Sequence, residues 1–159
     1  MMTLDAIKEL AQKEFEDGNF GSASYMCEYL EKQNINDPKY HLLWATSQSR
    51  MENWAKAEKL YVKVVNNEKA TKQQKSLACL YLAKQQIDTS SKEKYADMAM
   101  SYYNNDFVLE MVSQIYKDLE LVSIIDEDKE MVAYYRKKYA QFIKTMPIRK
   151  KTVAQSAKF

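Results

Sequence analysis

A 34-residue spacing governs what this chain can become. Ala11, Phe20, Ala23, Cys27 and Leu30 stand 34 residues before Ala45, Trp54, Ala57, Tyr61 and Val64. Gly18-Asn19-Phe20 in the first stretch answers Glu52-Asn53-Trp54 in the second. Residues 11–64 therefore read as two copies of one helical hairpin laid end to end. A unit of this kind cannot bury its apolar face alone and does so by stacking on a neighbour. The spacing points to a binding or scaffold protein and away from an enzyme.

Composition agrees. Among 159 residues there are only two glycines and two prolines, so tight turns are scarce. Lys, Glu, Leu, Ala, Gln and Met dominate, and these are good helix formers. The length suffices for a real core. The expected fold is all-α: antiparallel helical hairpins stacked as a right-handed α-solenoid of about eight helices. No basic segment followed by an apolar run opens the chain, and no stretch nears the roughly 20 apolar residues of a membrane span. An intracellular protein of the cytoplasm or nucleus, away from any membrane, is expected. Cys27 and Cys79 fit small buried thiols in a reducing compartment.

Taken in order, the first helix should run from about Thr3 to Asp17, with Thr3 as N-cap and Gly18 ending it. Leu4, Ile7, Leu10, Ala11 and Phe15 form its apolar face. The second runs to about Gln33 through Ala23, Cys27 and Leu30, and Asp37-Pro38 marks the next turn. The third covers about Lys39 to Met51 and the fourth about Asn53 to Asn66. After a polar linker, the fifth spans about Thr71 to Ile87. Thr89-Ser90-Ser91 is a turn and capping signal for the sixth, from Lys92 to about Tyr103. The seventh should cover Phe107 to about Glu120 or Val122, and the eighth about Asp128 to Thr145. The resulting plan is three hairpins over 1–103, a capping helix pair over 104–146 and a basic, disordered tail over 147–159.

The residues at these positions resemble the tetratricopeptide repeat over about residues 4–103. Ala11, Ala23, Ala45, Ala57, Ala83 and Ala96 supply its small residues, and Phe20 and Trp54 its turn aromatics. The pattern departs where Glu14, Gln48 and Gln86 replace the usual mid-helix tyrosine. Ser22-Ala23-Ser24-Tyr25-Met26-Cys27-Glu28, Tyr40-His41-Leu42-Leu43-Trp44-Ala45, Trp54-Ala55-Lys56-Ala57 and Leu77-Ala78-Cys79-Leu80-Tyr81-Leu82-Ala83 are further similar to a narrower group. That group is the N-terminal repeat domain of scaffold subunits of the anaphase-promoting complex, a cell-cycle ubiquitin ligase. The resemblance implies homodimerisation through these hairpins. The long C-terminal repeat array of that family has no counterpart in this chain.

Catalytic chemistry finds no foothold. His41 is the only histidine and falls at a core-facing position, without a Cys, Ser or Asp partner pattern. Asp126-Glu127-Asp128 lacks the glycine and distal glutamate of a calcium loop. No catalytic, cofactor or metal site is expected. A groove along the first helices of the hairpins would offer Lys8, Gln12, Leu42, Thr46, Ser49, Leu80 and Lys84 to a peptide. Gln12 and Leu43 stand where carboxylate-gripping repeat proteins carry asparagine. The rival surface is the flank of the second helix, where Tyr25 and Tyr29 would favour self-association.

Charge is segregated. Residues 101–129 carry seven acidic and two basic side chains, whereas residues 130–159 carry one acidic and eight basic. Arg136, Lys137, Lys138, Lys144, Arg149, Lys150 and Lys151 make a basic patch with Tyr134, Tyr135 and Tyr139 interleaved. Such a patch can contact nucleic acid or an acidic partner, but a solvated face accounts for it better. The sequence thus favours a protein-binding, self-associating scaffold, with peptide binding or the basic C-terminus as the alternative.

Overall fold

In the computed structural model, which describes residues 2–145, eight α-helices and no strands are found among the described residues. They are α1 (Leu4–Glu16), α2 (Phe20–Lys32), α3 (Pro38–Arg50), α4 (Trp54–Val65), α5 (Lys72–Gln85), α6 (Thr89–Tyr102), α7 (Asp106–Ile125) and α8 (Lys129–Thr145). The all-α hairpin architecture read from the sequence is the one observed. The tail expected over 147–159 lies outside the described residues.

The chain divides into two compact units, Met1–Ala78 and Cys79–Phe159, with the division inside α5. By sequence signature the division falls later, at 103–104.

In the first unit α1 packs on α2, α2 on α3, and α3 on α4, and α1 also touches α3. The 34-residue repeat is visible atom by atom in its turns. After α1, the Asn19 amide donates to the Glu14 carbonyl (2.8 Å) and Gly18 to Phe15 (3.0 Å). After α3, Asn53 donates to Gln48 (2.9 Å) and Glu52 to Ser49 (3.0 Å). Both patterns need a left-handed residue just past the helix, and it is Gly18 (φ +82°) in the first copy and Glu52 (φ +63°) in the second. Burial repeats too: Ala11 and Ala45, Ala23 and Ala57, Cys27 and Tyr61, Leu30 and Val64 are all buried. The alanines remove side-chain bulk between helix axes, so paired helices approach closely. The aromatic pair differs. Phe20 is half-buried and meets Phe15 edge-on at 5.7 Å, while Trp54 is exposed.

Helix starts follow their caps. Thr3 Oγ1 accepts from the Ala6 amide at 3.1 Å. Asp37 accepts from the Lys39 amide at 3.0 Å, which admits Pro38 as the first helical residue of α3. The sixth helix begins earlier than its sequence suggests. Asp88, rather than the Thr89-Ser90-Ser91 run, caps it by accepting from the Ser91 amide at 2.8 Å. Asn105 caps α7, accepting from the Val108 amide at 3.0 Å, and α7 continues to Ile125, beyond the end expected at Glu120 or Val122.

In the second unit α7 packs on both α6 and α8. Its face of Val108, Val112, Ile115 and Leu119 is buried, and Phe142 of α8 meets Tyr116 edge-on at 5.3 Å.

Candidate functional site

The sequence assigns Leu4, Ile7, Leu10, Ala11 and Phe15 to a buried face. In the structure only Ala11 on α1 is buried. Leu4 is exposed, and Ile7, Leu10 and Phe15 are half-buried. The small Ala11 takes the close contact, so its larger neighbours are left at the rim. Across from them, α2 turns Ala23, Ser24, Cys27 and Leu30 inward. That rotation points Tyr25 outward at 72 % exposure and Tyr29 at 38 %. Between the two helices lies a shallow groove of about 250 Å³ lined by Met2, Ile7, Leu10, Tyr25, Met26 and Tyr29. Its lining has two phenol hydroxyls and no ionised group, so it suits a partner's apolar side chains rather than a reaction. Tyr25 and Tyr29 were legible from the sequence. Met2, Ile7, Leu10 and Met26 were not, because the helical period that marks an apolar face does not say whether anything covers it.

Five of the seven groove positions lie in the first unit. Lys8 and Gln12 of α1 and Leu42, Thr46 and Ser49 of α3 are half-buried on helices that touch. Lys8 Nζ lies 5.9 Å from the Tyr40 ring centroid. Gln12 donates to Glu16 at 2.9 Å, and the Thr46 and Tyr61 hydroxyls are 3.0 Å apart. Leu80 is a correction to the groove reading: it is fully buried, as are Ala78, Cys79, Leu82 and Ala83 around it. A side chain without solvent exposure offers a peptide nothing to contact. Lys84, one turn on, is exposed.

Two cations of the basic patch are paired with carboxylates of the second unit. Lys138 Nζ donates to Asp97 Oδ2 (2.9 Å) and to Glu93, and Arg136 Nε donates to Glu120 Oε1 (2.8 Å). Burial alone would lower the Lys138 pKa, but the hydrogen bonds it donates to the Glu93 and Asp97 carboxylates hold it above its ordinary value. Glu93 is pushed up by burial, yet Lys138 and Tyr134 bring its carboxyl below the usual range. Tyr116 donates to Asp97 (2.5 Å) and Tyr134 to Glu93 (2.7 Å), so this cluster ties α6, α7 and α8 together. Lys137 and Lys144 remain exposed, while Arg149, Lys150 and Lys151 lie outside the described residues.

His41 is buried with its Nε2 3.1 Å from Glu31, which also accepts from Lys63 at 2.9 Å. Burial, aided by the Lys63 charge, pushes the imidazole below its ordinary value in spite of Glu31. The result is a neutral ring linking α2, α3 and α4. Burial pushes the Cys27 and Cys79 thiols up to about 12, which leaves them protonated and unreactive at neutral pH. Among the described residues no group of His, Cys, Asp and Glu is arranged to hold a metal, and no helix is long and apolar enough to cross a membrane.

Compared with protein-family models, with curated proteins and with solved structures, the chain matches none.

Proposed function

We propose that this chain is a non-enzymatic protein-interaction scaffold of tetratricopeptide type that pairs with a second copy of itself through the α1–α2 face. The observation that carries the reading is the uncovered apolar surface around Tyr25. Aromatic residues and methionine are the types enriched at protein interfaces, and a contiguous apolar patch on a folded surface marks an interaction site. Repetition of the hairpin in turn geometry and in burial supports the repeat-family reading. The sequence resemblance to scaffold subunits of the anaphase-promoting complex extends the proposal to a subunit of a cell-cycle ubiquitin ligase in the cytoplasm or nucleus. His41 and both cysteines are buried in the helix packing.

Size-exclusion chromatography with light scattering tests the pairing. The mass should rise toward twice 18.7 kDa as concentration increases through the micromolar range. A constant single-chain mass would remove the self-association reading. Association with ubiquitin-ligase subunits is a separate question, answered by co-purification from the source cells.

A further inference from the structure

A second uncovered apolar face lies at the C-terminal end of α7, and it follows from helix length. α6 has 14 residues and α7 has 20. The two pack together across a connection of only three residues, 103–105, so they run antiparallel. The hydrogen bond from Tyr116 to Asp97 fits that register. α6 therefore runs out beside about residue 119, and the last turn and a half of α7 projects about 9 Å past it. Leu119 and Ser123 keep one side of this projection buried. At about 100° per residue, Leu121, Ile124 and Ile125 fall on the opposite side, and they are 55, 47 and 70 % exposed. Ile124 also borders a shallow notch of about 470 Å³ that it shares with Val132 and Ala133 of α8. A contiguous aliphatic strip left to water marks an interaction site.

The turn beyond the strip sets the charge of its occupant. Asp126, Glu127, Asp128 and Glu130 are all exposed there, against Lys129 alone. Among the described residues none of these four carboxylates is paired with a cation, and the nearby Arg136 is committed to Glu120. Asp128 accepts from the Met131 amide at 3.1 Å, which caps α8 and leaves its charge in place. Such a surface repels nucleic acid and anionic lipid headgroups and attracts lysine and arginine. The strip itself has the spacing i, i+3, i+4, the register through which one helix receives another. Its complement is a helix with an aliphatic stripe flanked by cations.

We propose that the projecting end of α7 receives a basic amphipathic helix of a partner protein. The partner's aliphatic stripe covers Leu121, Ile124 and Ile125, and its lysines or arginines stand over the acidic turn at 126–130. The seat lies wholly within the second unit and does not depend on pairing through the α1–α2 face.

Methyl NMR of the full chain, titrated with a synthetic peptide made of two Leu-Lys-Lys-Leu-Leu-Lys-Leu repeats, tests this. Shifts should appear first at the methyls of Leu121, Ile124, Ile125 and Val132, while those of Ile7 stay in place. Leu121→Ser combined with Ile125→Ser, both at exposed positions, should weaken binding about tenfold. Glu127→Gln combined with Glu130→Gln should weaken it too and flatten its salt dependence. The same peptide with glutamate in place of lysine should not bind. Absence of binding by the lysine peptide, shifts centred on Ile7, equal affinity in the serine variant, or equal binding of the glutamate peptide would overturn the proposal. So would the same shifts on concentrating the chain without peptide, which would give the seat to a second copy.

Discussion

Gly18 and Glu52 occupy the same place in two copies of one hairpin, and exchanging their chemistry should move stability in opposite directions. Both residues are left-handed, at φ +82° and +63°. For a residue with a Cβ that conformation costs about 1–2 kcal/mol. Glycine escapes the cost but brings extra freedom to the unfolded chain, worth about 0.4–1 kcal/mol. The difference predicts that Gly18→Ala destabilises by about 0.5–1 kcal/mol and that Glu52→Gly stabilises by a similar amount. A Cβ at Gly18 would have no atom within 4 Å, so the first change isolates the backbone term from any clash. Urea denaturation followed by tryptophan fluorescence suits the measurement. The only tryptophans, Trp44 and Trp54, both lie in the first unit and report on it alone. In thermal scans the shifts should be about 2–8 °C each for a unit of this size, opposite in sign. A neutral Gly18→Ala, or a destabilising Glu52→Gly, would refute the equivalence of the two turns.

Other expectations concern the remaining clusters. Lys138→Met strands the Glu93 and Asp97 carboxylates beside each other and should cost about 1–3 kcal/mol, read as a lower unfolding midpoint by circular dichroism. Because the Lys138 pKa is held up by its partners, its contribution is complete below about pH 10.5 and is lost as pH rises through the folded value. His41 behaves in the opposite sense. Its folded pKa is depressed, so stability should fall as pH drops below about 6.5, where the unfolded ring takes a proton that the folded ring resists. Denaturation midpoints from pH 8 to 5 should show this slope in the native chain and a flatter one in His41→Gln. Cys27 and Cys79 should resist a thiol reagent at pH 8 in the folded protein and react together on addition of denaturant. Rapid reaction of either in the native state would contradict their burial.

Much of the fold was written in local chemistry. The 34-residue spacing of Ala11, Ala23, Ala45 and Ala57 announced the two hairpins, because close helix contact demands small residues wherever it occurs. Helix ends were legible where a strong local signal stood alone, as at Thr3 and Gly18. They slipped where two signals competed. Asp88 stands directly before a run of three hydroxyl residues, all of them good N-cap types, and α6 starts from the aspartate. The site was less legible because it depends on what is absent. Leu4, Ile7 and Leu10 carry the helical period of a core face, and no local feature reveals that Ala11 alone is covered. Leu80 reads as a groove position from repeat register, but it is fully buried, as are Ala78, Cys79, Leu82 and Ala83 beside it in the middle of α5. The ion pairs of Lys138 were hidden for another reason. Lys138 finds Glu93 and Asp97 more than forty residues earlier in the chain, a pairing that charge runs cannot disclose.

Sedimentation equilibrium of the native chain beside Tyr25→Asp tests the proposed interface most directly. Tyr25 is exposed in the single chain, so the substitution should leave folding intact while placing a charge in the middle of the α1–α2 groove. The account predicts a concentration-dependent dimer for the native chain and a monomer for the variant, with unchanged circular dichroism. A native chain that stays monomeric across the micromolar range, or a variant that dimerises equally well, would contradict it.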